Sequence, residues 1–240
     1  MFSPRTRRPR LGTSAVSFAS TANKNQHEPS YKIGSERFWP TTNDQRRPTE
    51  MKIGVLALQG DFDAHRRRLE ELGAEVVLVK KPEQLSEIDG LIIPGGESGT
   101  FLKLLSEDGL AKLKDFVRAK PTFGTCAGCI LLAKEVENPK QAGLAALDIT
   151  VRRNAYGRQI DSSIREGRFL NEPIEMVFIR APKIERVGKG IEVLATEGKD
   201  PVMVRKGKTL AATFHPELSD DRRIHQYFLG LVANRKHSQE

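Results

Sequence analysis

Two short stretches of this chain hold residue types that do covalent chemistry. The first is FGTCAGC, residues 123–129, where Cys126 stands between Gly124 and Gly128 and Cys129 follows three positions on. The second is TFHPEL, residues 213–218, where Pro216 separates His215 from Glu217. A G-x-C-x-G that follows a strand and precedes an apolar helical stretch (Ile130, Leu131, Leu132, Ala133) is the setting of a nucleophile elbow. Its glycines allow a sharp turn that lifts the sulfur above the sheet edge, and the positive end of the helix dipole favours thiolate over thiol. The backbone N–H of Ala127 can then face a developing oxyanion. A thiol nucleophile needs a base, and the base needs an orienting group; His215 and Glu217 have that chemistry. A third stretch, Pro94-Gly95-Gly96-Glu97-Ser98, has glycines that can bring a second oxyanion donor against a substrate. Losing one such donor costs on the order of a hundredfold in rate.

The cysteine has other readings. Cys126 and Cys129 form a CxxC, which at a helix start suits disulfide exchange. One CxxC without further ligands gives thin support for zinc, so no metal is expected. A redox account leaves the Gly-Gly-Glu and His-Pro-Glu loops unused. Cys129 reads as a small buried apolar side chain, with trapping of oxidised Cys126 as the alternative.

The elements that must position these residues alternate. Residues 52–58 (KIGVLAL) form an apolar run of strand length, and residues 61–72 have helical spacing with Phe62, Leu69 and Leu72 on one side and Gly73 as C-cap. Strands follow at 74–79 and ending at 90–93, then helical stretches near 98–105 and 110–118, then a short strand at 121–125 that runs into Cys126. Shorter β segments at 175–179, 192–195, 202–204 and 209–213 precede a closing helix at 220–233. Strand–helix alternation predicts right-handed crossovers and a mostly parallel central sheet covered on both faces, a three-layer α/β sandwich. Ligands in such folds bind beyond the carboxyl ends of the strands, where Gln59 and Gly60, residues 94–98, Cys126 and His215 fall.

The chain carries a formal +8, but unevenly: residues 1–50 hold nine Lys/Arg against four acids, a net +5, which leaves +3 on residues 51–240. The near-balanced part gives no footprint for a nucleic-acid backbone, and no apolar run is long enough for a membrane span. Two cysteines close together suit a reducing compartment, the cytoplasm. Residues 1–50 lack apolar periodicity and read as a disordered basic extension ahead of a single domain at 51–240; an organelle transit peptide is the alternative. His65, beside Arg66, Arg67 and Arg68, reads as part of a solvated basic face, or else of a docking surface. His225 reads as structural or solvent-facing, and Arg152 and Arg158 as charged surface.

GVLALQG, GLIIPGGES, FGTCAG, RNAYGRQ, FIRAP and ATFHPEL occur in this order over residues 51–235. Together they resemble the glutaminase subunits of two-part pyridoxal 5'-phosphate synthases, which are class I, triad-type glutamine amidotransferases. The resemblance implies that fold, with Cys126 as nucleophile, His215 as general base and acid, and Glu217 as its orienter. It places Gly96, Glu97 and Ser98 in the loop that binds L-glutamine and shapes the oxyanion site, and Arg153, Ile179 and Arg180 in the glutamine pocket. It implies hydrolysis of glutamine through a glutamyl thioester, with no cofactor. The ammonia would pass to a (β/α)-barrel synthase partner. Two departures stand out: Gly99 replaces the Thr of the family's usual GGEST, costing about 1 kcal/mol if helical, and Cys129 replaces an aliphatic residue.

Overall fold

The computed structural model describes residues 32–33, 51–155 and 162–236. After a two-residue strand β1 (Lys32–Ile33), the elements alternate as the apolar spacing predicts. They are β2 (Lys52–Leu56), α1 (Phe62–Glu71), β3 (Glu75–Val79), β4 (Gly90–Ile93), α2 (Ser98–Leu104), α3 (Glu107–Ala119), β5 (Thr122–Thr125) and α4 (Ala127–Leu132). Gly73 ends α1 at φ +80°, and its N–H donates to Glu70 O at 2.9 Å. Ser106 Oγ caps α3 by accepting from Gly109 N at 3.1 Å.

The second half is richer in strands than its sequence suggests. It runs β6 (Ala133–Glu137), β7 (Leu147–Arg152), β8 (Ser163–Phe169), β9 (Glu172–Phe178), β10 (Lys183–Val187), β11 (Glu192–Glu197), β12 (Asp200–Lys206) and β13 (Thr209–Ala212). The closing helix α5 (Arg223–Lys236) starts three residues later than its spacing predicts, because Asp221 Oδ1 turns back to accept from Arg223 N at 2.9 Å.

The large sheet has the order β3-β2-β4-β5-β13-β12-β11-β8-β9, with β1 alongside β11. From β3 to β13 neighbouring strands are parallel; from β13 to β9 they are antiparallel. A smaller sheet, β10-β7-β6, shares no ladder with it. Alternation along the strands divides the core between two faces. Ile53, Val55, Ile92, Leu210 and Ala212 join Leu69 of α1 and Ile224 and Phe228 of α5 on one side. Leu56, Leu91, Ile93 and Ala211 join Phe101 of α2, Leu113 of α3, Leu131 of α4 and the smaller sheet on the other. This is the expected three-layer α/β arrangement. No helix among the described residues is long and apolar enough to cross a membrane.

Of the basic extension, only Lys32 and Ile33 are described; they pair in parallel with Glu192 and Val193. Residues 156–161, which include Arg158 and the end of RNAYGRQ, lie outside the described residues.

Candidate active site

The strand order brings the chemistry-bearing loops side by side. β5 lies between β4 and β13, with Ile93 opposite Gly124 and Ala212 opposite Thr125, so three neighbouring carboxyl ends lead into Gly95-Gly96-Glu97, Cys126 and His215. Cys126 turns the corner from β5 into α4 at φ 47° and ψ −99°, a left-handed backbone that costs a non-glycine residue on the order of 1–3 kcal/mol. Its N–H donates to Ala212 O at 2.8 Å, which fixes the corner to β13. Gly128 is required here: a Cβ on it would stand 2.1 Å from the carbonyl oxygen of Ile93. The Cys126 thiol is 3.9 Å from the carbonyl oxygen of Ile179, and Ala127, the first residue of α4, leaves its N–H without an intrahelical partner.

His215 follows β13, and its N–H donates to Val177 O at 2.8 Å. Its Nδ1 lies 2.7 Å from Glu217 Oε1, with both side chains buried. Burial alone would lower the His215 pKa; hydrogen bonding to Cys126 and Glu217, and their charges, outweigh it and raise it to about 10. Nε2 of His215 has no fully formed hydrogen bond among the described residues, so its contact with the sulfur is a loose one. The imidazole is therefore a cation at neutral pH, held on one side by a carboxylate and facing the Cys126 sulfur on the other. Burial would raise the Glu217 carboxyl, yet the adjacent His65 and the bond and charge of His215 hold it well below the usual carboxylate range. Because burial also lowers the His65 pKa, His215 is the charged partner of the two.

A cleft of about 260 Å³ opens above the sulfur. Cys126, His215, Gly96, Glu97, Ser98, Arg153, Ile179 and Arg180 all line it; Ala127 and Glu217 sit behind its wall. Glu97 caps α2, accepting from Gly99 N at 3.0 Å and Thr100 N at 2.7 Å. Gly99 thus occupies the first turn of α2 and is held there by Glu97. Hydrogen bonding from Thr100 first, and from Gly99 and the charge of Arg153 further, lowers the Glu97 carboxyl. Arg153 spans the cleft floor, with Nη2 on Glu97 Oε1 at 3.0 Å and Nη1 on Gln141 Oε1 at 2.9 Å. Ser98 Oγ donates to the same Gln141 oxygen at 2.9 Å. Cys129 is fully buried among the apolar residues of its layer, and burial pushes its thiol up.

Several residues depart from the sequence reading. His65 is not on a solvated basic face: it is wholly buried, with Nε2 3.1 Å from Thr125 Oγ1 and Nδ1 3.0 Å from His225 Nε2. The three arginines that follow it mask its place on the Phe62–Leu69–Leu72 stripe. His225 is structural and fully buried. Gln59 does not line the cleft but braces the glycine loop, with Oε1 accepting from Glu97 N at 3.1 Å and Nε2 donating to Glu97 O at 3.2 Å. Gln141 has no sequence signal, since it lies in an irregular segment between β6 and β7. Its Nε2 is a buried donor with no partner among the described residues.

Comparison with known proteins matches this architecture. The profile of the SNO glutamine amidotransferase family covers residues 55–234. The pyridoxal 5'-phosphate synthase subunit PdxT of Koribacter versatilis is 66% identical over 77% of this chain and 97% of its own. That of Thermotoga petrophila is 52% identical over 76% of this chain and 100% of its own. A crystal structure of a glutamine amidotransferase superposes with a TM-score of 0.71 at 47% identity, covering 75% of this chain and 98% of the other. The glutaminase domain of Trypanosoma brucei CTPS, at 14% identity, a TM-score of 0.53 and coverage of 78% and 94%, shares the fold. The chain belongs to the SNO glutamine amidotransferase family.

Proposed function

We propose that this chain is the glutaminase subunit of a pyridoxal 5'-phosphate synthase, with residues 51–240 as the glutaminase domain and Cys126, His215 and Glu217 as its triad. The observation that carries the reading is the strained Cys126 corner facing an imidazole whose far nitrogen is 2.7 Å from a buried carboxylate. Glutamine enters the cleft with its side-chain amide toward the sulfur. Arg153, Glu97, Ser98, Ile179 and Arg180 surround its charged end, where an arginine and an acidic group match a carboxylate and an ammonium.

His215 holds the proton released by the thiol, and the thiolate attacks the amide carbon. The negative charge moves to the amide oxygen, where the N–H groups of Ala127 and Gly96 receive it. The C–N bond then breaks as His215 returns its proton to the departing nitrogen, which leaves ammonia and a glutamyl thioester on Cys126. Water, giving a proton to His215, cleaves the thioester to glutamate and restores the thiol. Glu217 keeps the imidazole oriented throughout and balances its charge. The ammonia passes to a (β/α)-barrel synthase partner, as the resemblance to the glutaminase subunits of pyridoxal 5'-phosphate synthases implies. Two free, buried cysteines support a reducing location, the cytoplasm.

The experiment is ammonia release from glutamine by the full chain, with and without the synthase barrel, alongside Cys126→Ala. Release that the barrel stimulates and Cys126→Ala abolishes is expected. Indifference to the barrel would assign the chain to another pathway, and an active Cys126→Ala variant would refute the nucleophile.

A further inference from the structure

Below the sulfur and the imidazole lies a chain of buried polar groups that the reaction scheme uses only at its first member. Glu217 gives Oε1 to His215; its other oxygen, Oε2, points inward and lies 3.3 Å from Nε2 of His65. The same Nε2 is 3.1 Å from the hydroxyl of Thr125, the residue before Cys126. On the opposite edge of the ring, Nδ1 is 3.0 Å from Nε2 of His225. His225 Nδ1, at the end of the chain, has no partner among the described residues. His65, Thr125 and His225 are all 0% exposed and Glu217 is 2% exposed, so bulk solvent does not reach these contacts. Three separate elements, α1, β5 and α5, are thus tied to the turn that carries Glu217. One turn along α1, Arg68 Nε donates to the backbone oxygen of Glu217 at 3.3 Å, holding the same turn from outside.

The proton positions follow from counting donors. Desolvation lowers the pKa of both histidines, that of His225 to about 3, so each ring carries one N–H at neutral pH. Only one of them can donate across the 3.0 Å contact. If His65 donated from Nδ1, its Nε2 lone pair would accept from the Thr125 hydroxyl but would also stand 3.3 Å from the Glu217 carboxylate oxygen, and His225 would carry its proton on Nδ1, a buried N–H with no partner. Both faults disappear if His225 donates from Nε2. His65 then carries its proton on Nε2, between Glu217 Oε2 and Thr125 Oγ1, and only a lone pair on His225 goes unused. An unmatched buried donor and two opposed acceptors cost more than one idle lone pair. Donation then runs from His225 to His65 and from His65 to Thr125, with Glu217 Oε2 3.3 Å from the same N–H. The hydrogen bond of His65 Nε2 is to Thr125 Oγ1; Glu217 Oε2 has no hydrogen bond among the described residues, and the 3.3 Å approach of the ring N–H to it is electrostatic.

We propose that His65 is a positioning residue of this active site: protonated on Nε2 and fixed by His225, it holds the second carboxylate oxygen of Glu217 and so sets the group that orients His215. The proposal rests on the glutaminase reading. A carboxylate held at one oxygen only can rotate about its Cγ–Cδ bond and release the imidazole; an N–H facing the second oxygen at 3.3 Å opposes that rotation. Partners one step removed from the reacting groups typically account for about 10- to 100-fold in activity where they have been deleted around metal sites.

Two measurements test it on the full chain. In the first, glutamine hydrolysis with the synthase barrel present is compared for the unsubstituted chain, His65→Leu, which fills the space without a donor, and His65→Gln, whose Nε2 can still donate to Oε2. The expected result is a fall in kcat of about 10- to 100-fold for His65→Leu with KM changed by less than about twofold, and recovery of most of that rate in His65→Gln. A kcat for His65→Leu within about twofold of the unsubstituted chain, or equal losses in Leu and Gln, would overturn the proposal. The second measurement needs no turnover. Nitrogen-15 NMR of the histidine side chains near neutral pH should find the His65 proton on Nε2 and none on Nδ1. A His65 protonated on Nδ1, alone or with Nε2, would overturn it. An unsubstituted chain that hydrolyses no glutamine would sink the glutaminase reading, and the NMR result would then decide the histidine chain by itself.

Discussion

Gly95→Ala is a small change with a computable consequence. Gly95 does not adopt a positive φ, so its backbone accommodates a methyl group without strain. What it lacks is room: a Cβ at this position would stand 2.4 Å from Cε1 of His215 and 3.1 Å from Nδ1. Ordinary carbon–carbon contact begins at about 3.5 Å, so the ring must retreat by about 1 Å. It is poorly placed to do so, because Nδ1 is bonded to Glu217 at 2.7 Å and the backbone N–H to Val177 at 2.8 Å. A displacement of about 1 Å in a catalytic group costs on the order of a hundredfold in rate, about 2.7 kcal/mol of barrier. Overpacking in a dense site destabilises by about 1–3 kcal/mol, so the fold should survive. The assay is steady-state ammonia release with the synthase barrel present, paired with a thermal melt. The expected result is kcat lowered about a hundredfold, KM for glutamine changed little, and a melting temperature within several degrees of the unsubstituted chain. A rate within a few-fold of normal in a folded Gly95→Ala protein would show that His215 does not need this position.

Other perturbations test separate parts of the account. Arg153→Lys loses the fork that reaches Glu97 and Gln141 together, and KM for glutamine should rise about tenfold or more, read from initial rates at varied glutamine; an unchanged KM would remove Arg153 from the pocket. Iodoacetamide should alkylate Cys126 and leave Cys129 untouched in the folded chain, since burial pushes the Cys129 thiol up; peptide mass spectrometry that finds Cys129 modified at a similar rate would contradict its burial. His65 and His225 are buried in the neutral form, with folded pKa values below the ordinary value of about 6.5. Acid therefore favours the unfolded chain: their contribution is complete above about pH 6.5 and is lost as the pH falls toward the folded pKa of His225, about 3. Glu217, also lowered, loses its contribution only below its ordinary range and remains in the variant. His225→Leu should flatten the dependence of melting temperature on pH across that window, and a profile parallel to that of the unsubstituted chain would refute the assignment.

The parallel half of the fold was legible in the sequence because each of its strands is a short apolar run ended by glycine or proline. The loops at their carboxyl ends were legible for the same reason. Cys126, Gly96 and His215 stand where such strands stop, and the strand order places those stops next to one another. Glu217 was readable from its spacing to His215. Arg153, Ile179 and Arg180 were reached only through resemblance to a family; they lie far along the chain, and nothing local marks them as lining a cleft. The smaller sheet and β8 escaped because their exposed faces carry charge: Ser163–Phe169, for example, reads SIREGRF, with arginines and a glutamate interrupting the apolar alternation. His65 was misplaced for a different reason. Its three arginine neighbours suggest solvent, yet a helix turns 100° per residue, and position 65 lies on the same side as Phe62, Leu69 and Leu72. The apolar stripe is plain in the sequence, but the arginines beside His65 along the chain hide that its neighbours on the helix face are apolar. Gln141, in an irregular segment, has no periodicity to reveal it, and only its contacts with Ser98 and Arg153 do so.

The central claim is that the Cys126 sulfur forms a bond to the glutamine side chain. Acid quenching of the chain while it turns over glutamine with the synthase barrel, followed by mass spectrometry of its peptides, reads that bond directly. The account predicts a fraction of the peptide containing Cys126 heavier by one glutamyl group, absent without glutamine and absent in Cys126→Ala. Steady ammonia release from Cys126→Ala, or a glutamyl adduct found only on another residue, would contradict it.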